Sequence, residues 1–459
     1  MKKKILSLLL TAAMVASLTA CGGSADTAAN QPAADAPAES TEAPAEESTE
    51  APAESSTAGE PVTLKVFSNL PDRTSGQGLV EQTLFDEYMK ENPNVTIEVE
   101  ALDDEAYKTK FKAYASGSQM PDLVNVWGQP GFLDEVMEAG LLAELNPDDY
   151  ADYNFLPGSL DGFSKDGKLY GLSRNTDVMC FYYNQKMFED NGWEVPKTYE
   201  ELLDLGEEVR AAGLQPVSMF GGDKWSLYIY IHDLEEQLDG SGIMAKTNDA
   251  IKNHDFSDPT FKKATDLFVE AVDRGLFQNG FESNDGGTAK NLFTNGQAAM
   301  YYTGSWEMSM VTDQDIPDEI RENIRVFLMP VPEGGKGDAT TITAWHGGGY
   351  AVTESAANKE EAIKLLNYMF RPEGWTKIAW ENGVCMSAQN FGDFATGSET
   401  EVQKQLMQLV ADATDLSGTP LGDLGSSEFK TICEDKSQEL AAGKITADDY
   451  LKALEAVGQ

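Results

Sequence analysis

The sequence predicts an α/β protein of two lobes, with a parallel sheet flanked by helices in the first and a crossing of the chain between them. Three observations carry this. The chain has 459 residues, too long for one hydrophobic core, so a division into two is expected. From residue 62 to 127 strand and helix patterns alternate, which implies parallel strands joined by crossovers. Two strand patterns then run on in one direction across the short polar break Arg174-Asn175-Thr176-Asp177, which suits passage between lobes.

The elements follow in order. Val62 to Phe67 alternates apolar and polar, a strand, and Ser68-Asn69 ends it. An amphipathic helix over 79–90, a strand over 95–100, a helix over 106–115 and a strand over 120–127 follow. The carboxyl edge of this sheet brings Asn69 and Trp127 to one cleft. Further strands are expected at 168–173, 178–183, 217–220 and 326–330. Thr198 and Glu201 form a capping box that opens one helix, and Asp258-Pro259 opens another. In the loop 221–225, Trp225 offers either a stacking surface or core packing. Asn358 to Phe370, 372–382, 399–414 and 426–457 read as helices.

The N-terminal end reads differently. Lys2 to Lys4 precede the apolar run Ile5 to Ala16, too short to span a bilayer well, so residues 1–20 read as a secretion signal. Leu18-Thr19-Ala20-Cys21-Gly22 resembles the bacterial lipobox, which implies cleavage before Cys21 and a lipid such as palmitate on it. Gly22 to Glu60 holds Ala, Pro, Glu, Ser and Thr with no Lys, Arg or aromatic residue. It buries too little apolar surface to offset ordering entropy, so residues 21–61 are expected to be a disordered tether.

The formal net charge of −43 argues against nucleic acid, whose phosphates would repel it. Cys180, Cys385 and Cys433 form no C-x-x-C, and His232, His254 and His346 lack metal-ligand spacing. The Gly334 to Gly337 turn lacks the Lys-Ser/Thr pair of a phosphate cradle. No cofactor, metal or catalytic motif stands out.

The most informative stretch is Asn291 to Met310. Asn295-Gly296 stops a helix, Ala298 to Tyr302 is a buried strand, and Gly304-Ser305-Trp306 turns into a helix with Ser305 as its N-cap. A Trp at such a junction stands at the mouth of an α/β sheet, or else plugs the core. The pattern F-x-x-G-x-A-A-M-x-x-x-G-S-W resembles the extracellular solute-binding proteins of ATP-driven importers, in the sugar-binding family that includes maltose-binding protein. PDLVNVWGQ (121–129), GLLAEL (140–145), KLYGLS (168–173), YYN with Phe188, and the Gly-rich stretch 343–352 resemble it too.

That resemblance implies the type II periplasmic-binding fold, each lobe a mainly parallel sheet flanked by helices, with multiple hinge crossings between the lobes. One lobe is expected from 62–175 plus 349–388, the other from 176–348 plus 389–459, with a third crossing near 385–390. It implies an outer-face, lipid-anchored, monomeric receptor that hands a sugar, an oligosaccharide by implication, to permease subunits. It implies sugar contacts at Trp306, Trp127 and Gln129, and from the first hinge Asn175 and Asp177, with Arg174 a lesser choice. Trp345 and His346 stand at the second crossing, where His346 is a cleft residue or a structural one. With Asn69 and Trp225 these complete the candidate set. Three competing readings are a secreted glycosidase, which needs paired carboxylates across a cleft, a surface adhesin or structural lipoprotein, and the same fold holding a non-sugar solute.

Overall fold

The computed structural model describes residues 59–458 apart from 118, 414 and 417. The expected signal peptide, the lipidated Cys21 and nearly all of the tether lie outside the described residues.

The first sheet has five strands. β1 (Val62–Ser68) pairs in parallel with β2 (Val95–Ala101) and β3 (Leu123–Trp127). Its other half is antiparallel: β10 (Gly348–Val352) lies between β3 and the short β4 (Leu172–Ser173). The second sheet is centred on β5 (Thr176–Asn184). Beside it lie β7 (Ala298–Gly304) and β8 (Ile324–Phe327), both antiparallel, and β9 (Ala344–His346) joins its start. β6 (Gln215–Ser218) pairs in parallel with β7.

The expectation of mainly parallel sheets is therefore corrected: both are mixed. The chain enters the first sheet from a βαβ unit but re-enters it, at β10, coming from the second sheet. A strand arriving from that side runs the opposite way. The chain leaves the first sheet through Arg174-Asn175 and returns through Gly347. Backbone bridges Asn175–Ser387 and Phe155–Gln389 mark another passage.

Each sheet carries its own core. Leu64, Val66, Leu84, Val124, Tyr350 and Trp375 belong to one buried cluster; Phe181, Leu202, Tyr230, Phe268 and Tyr302 belong to another. Each such side chain contributes roughly 1.5–3 kcal/mol by leaving water.

Local chemistry sets the helices that frame the site. α1 (Gly76–Glu91) starts three residues earlier than its apolar pattern. α2 (Asp104–Ala115) follows β2, and α3 (Tyr199–Ala211) is capped by Thr198, whose Oγ1 accepts from the Glu201 amide at 3.2 Å. Glu201 reaches back to the Lys197 amide rather than to that of Thr198, so the expected capping box is displaced by one residue. α4 (Trp225–Asp239) is buried along nearly its whole length, and α5 (Pro259–Asp273) has Asp258 as its cap. α6 (Gly286–Thr294) begins under Asp285, and Gly296, at φ +68°, closes the turn after it. Cys180, Cys385 and Cys433 are free and buried. Among the described residues no helix is long and apolar enough to cross a membrane.

Candidate functional site

A cavity of about 480 Å³ lies between the two sheets, at the strand ends. The first sheet supplies Asn69 after β1, Trp127 at the end of β3, and Gln129. The second supplies Asp177 near the start of β5, Trp225 at the start of α4, Trp306 just past β7, and Trp345 on β9. Arg174 and Asn175 come from the passage between them. Eight of the nine expected ligand-binding residues thus line one cavity.

His346 is the exception. Consecutive side chains on a strand point to opposite faces, so Trp345 and His346 cannot both face the cavity. Trp345 takes that side, and the His346 Nδ1 lies 3.0 Å from the Thr176 hydroxyl. Burial pushes its imidazole below the usual range. The cleft reading of His346 is corrected to the structural one.

Trp225, Trp306 and Trp345 form one aromatic wall. Trp306 meets Trp225 edge to face at 5.6 Å between ring centroids and Trp345 at 6.3 Å. Gly304 makes this wall possible, because a Cβ there would collide with the Trp306 ring. Ser305 is not the N-cap expected of it: its hydroxyl accepts from the Val178 amide at 3.1 Å and ties the junction to β5. Trp127 forms the opposite wall, held edge-on by Phe132 at 5.0 Å and Tyr107 at 5.7 Å, with Lys108 over its ring.

The polar groups are already oriented. Asn69 donates to Asp104 at 2.8 Å and accepts from Arg174 at 3.3 Å. The Arg174 Nε donates to the Asn175 side chain at 3.1 Å, and Asn175 donates to Asp177. Burial pushes the Asp177 carboxyl up to about 6, against the bonds from Asn175 and the Gly348 amide and the charge of Arg174. Asp223 also reaches about 6; burial is the largest cause, and the charges of Asp104, Glu105 and Asp285 add to it.

Lys108, Asp223, Glu307 and Lys430 line the cavity without having been singled out. For Asp223 and Glu307 a signal existed: each is a charge within two residues of a Trp at a strand end. Lys108 and Lys430 lie near the starts of helices, where nothing in the sequence separates them from solvated lysines.

Flat apolar faces opposed across a cavity, with fixed donors and acceptors between, form a site suited to enclosing a small polar molecule. The molecule is a two-lobed α/β binding protein by its architecture. The sequence profile of the bacterial extracellular solute-binding proteins matches residues 83–383, and the chain belongs to that family. It is 26% identical over 293 residues to a multiple sugar-binding protein of Streptococcus mutans, covering 62% of this chain and 66% of that one, just under two thirds of its length. It is 26% identical over 384 residues to an ABC transporter extracellular-binding protein of Pyrococcus horikoshii, covering 80% and 82%. A structure solved in a study of xylan utilization by Caldanaerobius polysaccharolyticus superposes with a TM-score of 0.78 at 25% identity, covering 86% of this chain and all of that one.

Proposed function

We propose that this protein is the substrate-binding subunit of an ABC importer, capturing a saccharide, in the first instance an oligosaccharide, and delivering it unaltered to membrane permease subunits. One observation carries the reading: Trp127 faces the cavity from one side and Trp225, Trp306 and Trp345 from the other, with Gln129, Arg174 and Asp177 between. Aromatic faces stack on the C–H faces of pyranose rings, while carboxylates and amides bond to hydroxyls. The multiple-sugar name of the Streptococcus relative points the same way.

The two halves, 62–175 plus 349–388 and 176–348 plus 389–459, act as jaws about the passages near 174–175, 347 and 385–390. Ligand favours closure only by the contacts it adds across both jaws. The receptor works as a monomer, held to the outer face of a bacterial membrane by lipid on Cys21 through the 21–61 tether. It performs no catalysis; binding and release are its whole cycle.

A calorimetric and thermal-shift screen against mono- and oligosaccharides tests this, paired with small-angle scattering. The expected result is saturable binding with a fall in radius of gyration. Turnover of an oligosaccharide, or binding without compaction, would overturn the reading. Labelled palmitate should enter the wild-type chain in bacteria and not the Cys21→Ala variant.

A further inference from the structure

We propose that the saccharide this cleft takes is cationic, carrying one or more protonated amines, so that the ligand is a de-N-acylated amino sugar or its oligomer. This rests on the saccharide reading above and narrows it.

The charges around the cavity do not balance. Eight carboxylates line it, Asp103, Asp104, Glu105, Asp177, Asp223, Asp285, Glu307 and Asp423, against the three cations Lys108, Arg174 and Lys430. Two of the cations are already engaged: Lys108 pairs with Glu105 at 2.8 Å and Lys430 with Asp423. Glu307 is paired from behind by Lys290 at 2.9 Å. Arg174 spends its guanidinium on Asn69 and Asn175, although its charge also reaches Asp177. Asp103, Asp104, Asp223 and Asp285 make no salt bridge among the described residues, although the charge of Lys108 also acts on Asp104. The first two open α2 on one side of the cavity; the other two stand at the opposite side, where the Gly286 amide donates to Asp223 and the Thr288 amide to Asp285.

These groups interact across the gap. The charges of Asp104 and Glu105 reach Asp223 and help hold its proton on. Like charges facing one another oppose closure, and a cation placed between them removes the opposition.

A second feature is independent of the carboxylates. Gln77 lines the same cavity, and its buried side-chain oxygen has no hydrogen-bond partner. Gln77 is itself only 9% exposed. A buried acceptor of this kind costs free energy until a donor arrives. A hydroxyl supplies a donor but leaves the facing carboxylates unbalanced. An ammonium supplies three donors and the missing charge together, and hydrogen bonds between ionised partners are the stronger kind.

The test uses matched probes on one skeleton: glucose, glucosamine and N-acetylglucosamine, each also as the β-1,4-linked dimer and trimer. Affinities are measured near neutral pH at low salt and in 0.5 M NaCl. The amine is expected to bind at least tenfold more tightly than the hydroxyl analogue at low salt, with the ratio shrinking in high salt as the charges are screened. In Asp104→Asn and Asp223→Asn, each confirmed folded by its melting curve, that ratio should fall several-fold. An amine that binds no better than the hydroxyl, or a preference insensitive to salt, overturns the inference and leaves the saccharide reading standing. Failure of every saccharide, amine or neutral, takes both down. Spermidine is a further probe: binding as tight as that of the amino sugar would overturn the saccharide part of the inference, because charge alone would then suffice.

Discussion

Asp233 gives the sharpest test of how this molecule holds charge in its core. It lies on the buried helix α4 at 2% exposure. One carboxylate oxygen accepts from the Tyr302 hydroxyl at 2.9 Å, the other from the Thr343 hydroxyl at 2.8 Å. These bonds and the nearby His232 favour the charged form, but burial outweighs them and the carboxyl moves from 3.8 to about 6. The native state therefore holds this proton more tightly than the unfolded chain does. Stability is fully present below the unfolded value and is lost as pH rises through the native one. A shift of about two units at 1.36 kcal/mol each is about 3 kcal/mol lost between about pH 4 and pH 7. Asp233→Asn keeps the shape and removes the charge, and both hydroxyls can reorient to suit an amide. Urea unfolding of wild type and variant at both ends of that range is the assay. The wild type should lose about 3 kcal/mol more than the variant, which keeps a slope of the same sign because Asp177 and Asp223 are also pushed up to about 6. At pH 7 the variant should be at least as stable as wild type. Equal slopes in the two proteins would refute the argument.

Other expectations concern the cleft and its supports. Trp306→Ala and Trp127→Ala should each weaken saccharide binding at least tenfold, about 1.4 kcal/mol, with melting temperatures largely kept because both rings are only partly buried; normal binding by both in calorimetry would remove them from the site. Gly304→Ala places a methyl against the Trp306 ring, so it should lower affinity and change the tryptophan fluorescence, although position 304 touches no ligand in the proposed arrangement. Glu81 is fully buried and holds Arg73, the Ser68 hydroxyl at 3.1 Å and the Tyr350 hydroxyl at 2.6 Å. Glu81→Ala leaves these groups unmatched and should cost roughly 3–5 kcal/mol, read by denaturant unfolding.

Much of the architecture was legible in the chain because its signals are local. The β1 to β3 unit follows from period-2 alternation and helix patterns within 66 residues. The Asp258-Pro259 and Thr198 helix starts work through hydrogen bonds spanning two or three residues. Gly296 ends its turn as expected because the left-handed conformation it adopts is a property of that residue alone. The Trp positions were found because each closes or follows a strand, and strand ends are where an α/β cleft opens.

What the sequence could not settle is whatever depends on partners distant along the chain. Strand direction in β10 follows from where the chain comes back, not from its own residues. Ser305 gave up the capping role because the Val178 amide, 127 positions away, competes for its hydroxyl. His346 carried both a cleft and a structural reading until pairing with β5 fixed which face of β9 meets the cavity. The imbalance of carboxylates over cations is likewise a property of the assembled walls: Asp104 and Asp223 are ordinary acidic residues in a strongly acidic chain until folding brings their charges to bear on one another. Local geometry is written in neighbours; a binding site is written in distances that only packing creates.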